Sequence, residues 1–202
     1  RLYGELPFDD AGHSPAAGDA NGDGYLDLLA GSPISRDRRG TAYLVHGPIT
    51  GDGPLAGGAA RFEGDFDVDW CGASLAFLPD SDGDGADDLA VACAIDPYFT
   101  FLPGRIQLYR GLDAQGTLGL ADAATYYVGP HPGDLAGYQM HGKHDLTGDG
   151  VPDLAVGVPR DETFAAEDVN FNFGCRSFAG NFGSAATNST FTSGGNPSDF
   201  SS

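Results

Sequence analysis

Apolar residues along this chain come in short bursts separated by polar, glycine-rich stretches. Three bursts are nearly identical: LLAG at 28–31, LAVA at 89–92 and LAVG at 154–157. Runs this short, continuous and bounded by turn residues, predict strands buried on both faces. After each comes a loop and a strand-like stretch ending in glycine: TAYLVHG (41–47), RIQLYRG (105–111) and DVNFNFG (168–174). The alternation of Val169, Phe171 and Phe173 supports the last of these. A further strand is predicted at ARFEG (60–64) and TYYVG (125–129), and in the third unit STFTSG (189–194) is a poor match. No stretch carries a convincing amphipathic helix. Residues 112–124 come nearest, and their glycines oppose it.

The pattern repeats. Residues 1–12, RLYGELPFDDAG, align without gaps on RFEGDFDVDWCG (61–72) and YYVGPHPGDLAG (126–137). The shared marks are Gly4, Gly64 and Gly129; Asp9, Asp69 and Asp134; and Gly12, Gly72 and Gly137. Short strands recurring in phase predict an all-β array of β-propeller-type blades, about three four-stranded antiparallel repeats. The first unit covers 1–60 and starts in the last strand of a preceding blade. The second covers 61–125, the third 126–174, and 175–202 is a Ser/Gly/Asn-rich degenerate or disordered tail. Three blades form an incomplete ring, so further blades are expected in missing sequence or a partner chain.

Composition narrows the function. The formal net charge is −19, and 25 of the 29 acidic residues are Asp. That balance argues against nucleic acid and anionic lipid as partners, and no apolar run is long enough for membrane insertion. The chain starts at Arg1 without a leader, which suggests a removed signal or a fragment.

Eleven of the aspartates lie in three in-phase nonapeptides: DANGDGYLD (19–27), DSDGDGADD (80–88) and DLTGDGVPD (145–153). Oxygen-bearing residues occupy positions one, three, five and nine: Asp19, Asn21, Asp23, Asp27; Asp80, Asp82, Asp84, Asp88; Asp145, Thr147, Asp149, Asp153. Position six is Gly each time, and position seven (Tyr25, Ala86, Val151) offers a backbone carbonyl. Ca²⁺ takes six to eight oxygens, which alternate positions of a tight loop can supply. An EF-hand would need Glu at position twelve, where an apolar strand residue stands instead. The reading is a calcium-binding hairpin, up to three Ca²⁺ in all, with the ninth-position Asp as bidentate ligand. The bland alternative is three solvated Asp-Gly turns. Full occupancy would move the formal charge from −19 to about −13.

Loop, strand and spacing together resemble the FG-GAP repeat family, the repeats of the integrin α-subunit propeller. GTAYLVHG (40–47) and GRIQLYRG (104–111) fit the family's Gly-started strand with Tyr, and Gly31-Ser32-Pro33 and Gly157-Val158-Pro159 fit its Gly-Ala-Pro end. The aromatic that precedes the starting glycine in the family is absent at Ala11, Cys71 and Ala136, and Ala92-Cys93-Ala94 departs from the Gly-Ala-Pro end. The resemblance covers roughly 1–174. It implies secreted or cell-surface proteins, calcium in the hairpin loops, and partner binding through loops on the opposite face. That face would carry Arg36, Arg38 and Arg39, the aromatics Tyr98, Phe99 and Phe101, and Trp70. Arg and exposed aromatics are common hot-spot types; Trp70 and Phe101 equally suit packing between blades, and the arginines a solvated loop.

Cys71 and Cys93 flank a predicted hairpin and could bond across it, or remain small buried thiols; Cys175 is left over. Asn188-Ser189-Thr190 matches a glycosylation acceptor. His141 and His144 sit three apart, which on a strand points them to opposite sides. No nucleophile elbow, phosphate loop or HExxH motif appears. The expected function is therefore a non-enzymatic extracellular module for adhesion or partner recognition, with an unknown protein or glycan ligand. The alternative is an accessory propeller of a secreted enzyme whose catalytic domain lies outside this chain.

Overall fold

The computed structural model describes residues 1–93, 95, 101–129, 132–144 and 153–158, and the backbone of 174–178 and 189–190. Its strands are β1 (Leu2–Tyr3), β2 (Pro15–Gly18), β3 (Asp27–Ser32), β4 (Thr41–Val45), β5 (Gly53–Pro54) and β6 (Ala60–Glu63). Next come β7 (Leu75–Leu78), β8 (Asp88–Cys93), β9 (Arg105–Tyr109), β10 (Gly116–Leu118) and β11 (Thr125–Val128). The last are β12 (Met140–His144), β13 (Asp153–Val158), β14 (Gly174–Phe178) and β15 (Ser189–Thr190). The chain is all-β and built of propeller-type blades. Two blades are four-stranded antiparallel meanders, β2-β3-β4-β6 and β7-β8-β9-β11; in the third, β12-β13-β14 are described. No helix among the described residues is long and apolar enough to cross a membrane.

The continuous apolar bursts are central strands; those of the first two blades are covered on both faces, while in β13 Leu154, Val156 and Val158 are buried and Ala155 and Gly157 partly so. Three apolar layers stack between them. Leu29, Leu44 and Phe62 of the first blade meet Phe77, Leu89, Val91 and Tyr109 of the second. On the second blade's other face, Leu78, Ala90, Ile106 and Leu108 meet Leu154, Val156 and Val158 of the third. Ala30, Tyr43 and Leu55, with Leu2 and Val45, form the layer beyond the first blade. The first strands of the blades, β2, β7 and β12, lie side by side and border an open groove.

Blades are also stitched edge to edge. β5 pairs in parallel with β1, β10 with β6, and β15 with β11. In each case the segment after a blade's third strand reaches back to an outer strand one unit earlier in the chain. Such pairing covers sheet edges that would otherwise be open. The glycines at 112–124 do oppose a helix: β10 and a single 3₁₀ turn at Leu120–Asp122 occupy that stretch.

Two expectations need correction. The third unit's later strand begins at Gly174, the residue at which the sequence pattern ends it; residues 168–173 lie outside the described residues. Pairing of Val158 with Gly174 sets this register, after a connection longer than those joining Ser32 to Thr41 or Cys93 to Arg105. Strand patterning carries no information on loop length, so constant phase misplaces the strand. Of STFTSG, Ser189–Thr190 form β15, a parallel edge on the second unit, and 191–194 lie outside the described residues. The second correction concerns β12. The pairing shifts register between His141 and His144, and Lys143 adopts φ +69°. A bulge adds a residue and reorients the side chains beyond it, so the two rings stack 4.8 Å apart instead of pointing to opposite sides.

Candidate metal centre

Each nonapeptide joins a blade's first two strands, so the loops share one end of the blades. The first and second loops fold alike, around aspartate side chains that accept their own backbone N–H groups, as Asx turns do. The first carboxylate takes the N–H groups of positions five and six: Asp23 (3.1 Å) and Gly24 (2.8 Å) on Asp19, Asp84 (3.1 Å) and Gly85 (2.8 Å) on Asp80. Position three accepts the N–H of position five, 3.1 Å on Asn21 and 3.2 Å on Asp82. Position five accepts that of position seven: Tyr25 on Asp23 (2.8 Å), Ala86 on Asp84 (2.9 Å). Gly24 and Gly85 hold φ of +86° and +93°, the bend that the motif's glycine permits.

In the second loop, ligand oxygens of Asp80, Asp82 and Asp84 all lie within 4.8 Å of one another and are exposed to solvent. The N–H of Gly85 holds the Asp80 carboxyl below its ordinary pKa, and the N–H of Tyr25, then the Asn21 amide, do so for Asp23. The three gathered residues offer carboxylate oxygens, without thiolate or imidazole. This donor set suits a hard divalent cation.

The ninth-position aspartates stand apart from that trio. Asp27 and Asp88 are buried beneath the loops. Asp27 accepts the N–H groups of Ala20 and Gly47, both at 2.8 Å. Asp88 accepts Ser81 N–H (3.2 Å), the Ser81 hydroxyl and Gly111 N–H (3.3 Å). They thus tie the loop's start to the end of the blade's third strand, a role the spacing did not reveal. Burial raises the Asp88 pKa in spite of these donors. Of about four lone-pair sites on a carboxylate, two remain on Asp27 and one on Asp88 after such bonding. Asp153 is buried like its counterparts; Asp145, Thr147, Asp149 and Val151 lie outside the described residues.

Three basic residues near the loops escaped sequence reasoning. Arg110 Nε lies 3.0 Å from Asp82 Oδ2. His46, at the equivalent position of the first unit, has Nε2 4.0 Å from Asp27. Asp87 pairs with Lys143 of the third blade and accepts Asp19 N–H (2.6 Å), while its own N–H donates to Asp19 O (2.7 Å). The signal that could have found two of them is a basic residue just before the strand-ending glycine, His46 before Gly47 and Arg110 before Gly111; Lys143 carried no such mark.

The opposite end gathers the other predicted residues, because antiparallel connections alternate ends. Arg36 pairs with Glu63 and Arg39 with Asp67, both at 2.9 Å; Trp70, half-buried, donates its backbone N–H to Arg38 O (2.9 Å). Phe101 is 80% exposed and Phe66 60%. Tyr98 and Phe99 lie outside the described residues. Asp9 and Asp69 anchor the loops here: Asp9 accepts N–H groups of Leu6 and Ala11, Asp69 those of Asp65 and Phe66.

Residues 11–45, which contain the first loop and its flanking strands, match the FG-GAP repeat. The match places one FG-GAP repeat in this chain. Human integrin alpha-IIb is 34% identical to it over 176 residues, 78% of this chain and 16% of the relative. Human integrin alpha-7 is 33% identical over 165 residues (77% and 13%), and Xenopus laevis integrin alpha-5 29% over 163 (73% and 14%). The chain spans about one sixth, or less, of the length of these relatives.

Proposed function

We propose that the chain is a calcium-stabilised, non-enzymatic propeller module that serves adhesion or partner recognition outside the cell. The observation that carries this reading is the second loop, where three carboxylates converge in a hairpin. The first loop shares its hydrogen-bond pattern. Asp80, Asp82 and Asp84, the Ala86 carbonyl and Asp88 would hold one Ca²⁺. Asp19, Asn21, Asp23, the Tyr25 carbonyl and Asp27 would hold another, and Asp145, Thr147, Asp149, the Val151 carbonyl and Asp153 a third. The ion supplies charge that turns mutual repulsion of the carboxylates into a clamp on the hairpin. Integrin relatives and a disulfide, which persists in oxidising compartments, support the extracellular placement. A protein or glycan partner would meet the end carrying Arg36, Arg38, Arg39, Trp70, Tyr98, Phe99 and Phe101.

Calorimetric calcium titration, followed by melting with and without chelator, tests the reading. Millimolar calcium should bind and raise the melting temperature. Absence of binding heat together with equal melting temperatures would overturn it. For the partner surface, alanine at Arg36 and Phe101 should weaken ligand capture while circular dichroism stays unchanged.

A further inference from the structure

We infer that Arg110 is a built-in competitor of the cation in the second loop, holding its calcium affinity below what its carboxylates would otherwise confer. The inference rests on the calcium reading and concerns regulation of that same site. Arg110 is the last residue before Gly111, whose N–H braces the buried Asp88. From that point its Nε reaches Asp82 Oδ2 at 3.0 Å, and Asp82 is one of the three gathered carboxylates. Arg110, Ser81, Asp82 and Asp88 border one cavity of about 10 Å³, room for about one water. A guanidinium cannot be deprotonated in a protein and pairs well with a carboxylate oxygen.

A divalent ion approaching Asp82 therefore meets a cation already in place. Either the guanidinium swings out, losing its contact, or it remains as a like charge beside the ion. Both lower the affinity. The first loop differs at this point. Its equivalent residue is His46, which faces Asp27 at 4.0 Å and not position three. Position three there is the neutral Asn21, already bonded to Asp23 through its amide (2.9 Å). Arg110 thus offsets the extra charge of Asp82, and the two loops are brought closer in affinity than their aspartate counts suggest.

The test is a calcium titration of the whole chain, read at the amide resonances of Gly24 and Gly85. These two N–H groups are held by the first carboxylate of each loop, so they report the loops separately. Arg110→Ala should move the Gly85 midpoint to about three- to tenfold lower calcium and leave that of Gly24 in place. Arg110→Lys keeps the charge without the planar fork and should fall between; it also serves if the alanine variant folds poorly. An unchanged or higher Gly85 midpoint in both variants overturns the inference and leaves the calcium reading standing. A Gly85 resonance blind to calcium in every form, wild type included, overturns the calcium reading and this inference with it.

Discussion

The first and second blades have the same strand order and the same nonapeptide hydrogen bonds, yet different locks at the opposite end. In the second blade Cys71 is bonded to Cys93. The equivalent residues of the first are Ala11 and Ser32, and a hydrogen bond from Ser32 Oγ to Asp9 O (2.6 Å) does the corresponding work. In the second blade Asp69 also holds Arg105, at 2.9 Å. The first blade has Thr41 where Arg105 stands, and Asp9 serves backbone N–H groups alone. The lesson is that the repeat encodes positions, while substitutions at those positions set the strength of each lock.

Breaking the ionic lock should have the largest effect. Asp69 and Arg105 are both buried, and removing one partner of a buried pair costs about 3–5 kcal/mol. Asp69→Ala should therefore lose that much in denaturant unfolding, against about 1–3 kcal/mol for Asp9→Ala. Equal losses would erase the contrast. Next comes the disulfide, which closes a sequence separation of 22. Cys71→Ser with Cys93→Ser should cost about 3 kcal/mol, and Ser32→Ala about 1 kcal/mol, by the same measurement.

The third effect is alkaline. Along β9, Arg105, Gln107 and Tyr109 share a face and form a buried polar line. Oriented to satisfy both ends, the Gln107 amide accepts from Arg105 and donates to the Tyr109 hydroxyl (2.7 Å), which donates to Gly119 O (3.0 Å). Burial pushes the Tyr109 phenol up strongly, and raises Tyr43 and Tyr127. A raised phenol pKa means stability is complete below the unfolded value of about 10 and is lost as pH rises above it. Absorbance at 295 nm should show late-titrating tyrosines whose ionisation coincides with unfolding, and Tyr109→Phe should shrink that late phase more than Tyr43→Phe. Non-cooperative titration of all eight tyrosines near pH 10 would contradict it.

The smallest change makes the loops alike. Asp82→Asn places in the second loop what Asn21 supplies in the first, and frees Arg110 from its partner. The Gly85 calcium midpoint should then approach that of Gly24, within about threefold. A larger separation would show that position three does not govern the difference.

Much of this was legible in the residues. The strands at 41–45, 60–63, 105–109 and 125–128 match the apolar bursts closely. The loop pattern of Asp19, Asp23 and Gly24 could be read because Asx bonding and positive φ are local properties of Asp and Gly. Three things could not be read: the pairing of Arg110 with Asp82, the bulge that stacks His141 on His144, and the bracing of Asp88 by Gly111. Each depends on a partner more than one strand away or on a register that no local pattern specifies.

The sequence by itself determined the strands of the first two blades, the central strand of the third and the Asp-Gly pattern of the nonapeptides, since burial and turn formation act over a few residues. The tertiary structure alone decided whether Cys71 and Cys93 meet, which blade edge β10 covers, and which basic side chain faces which loop. Those outcomes depend on how sheets stack and where loops close. Each is a sum of many distant contacts, and no single residue carries it.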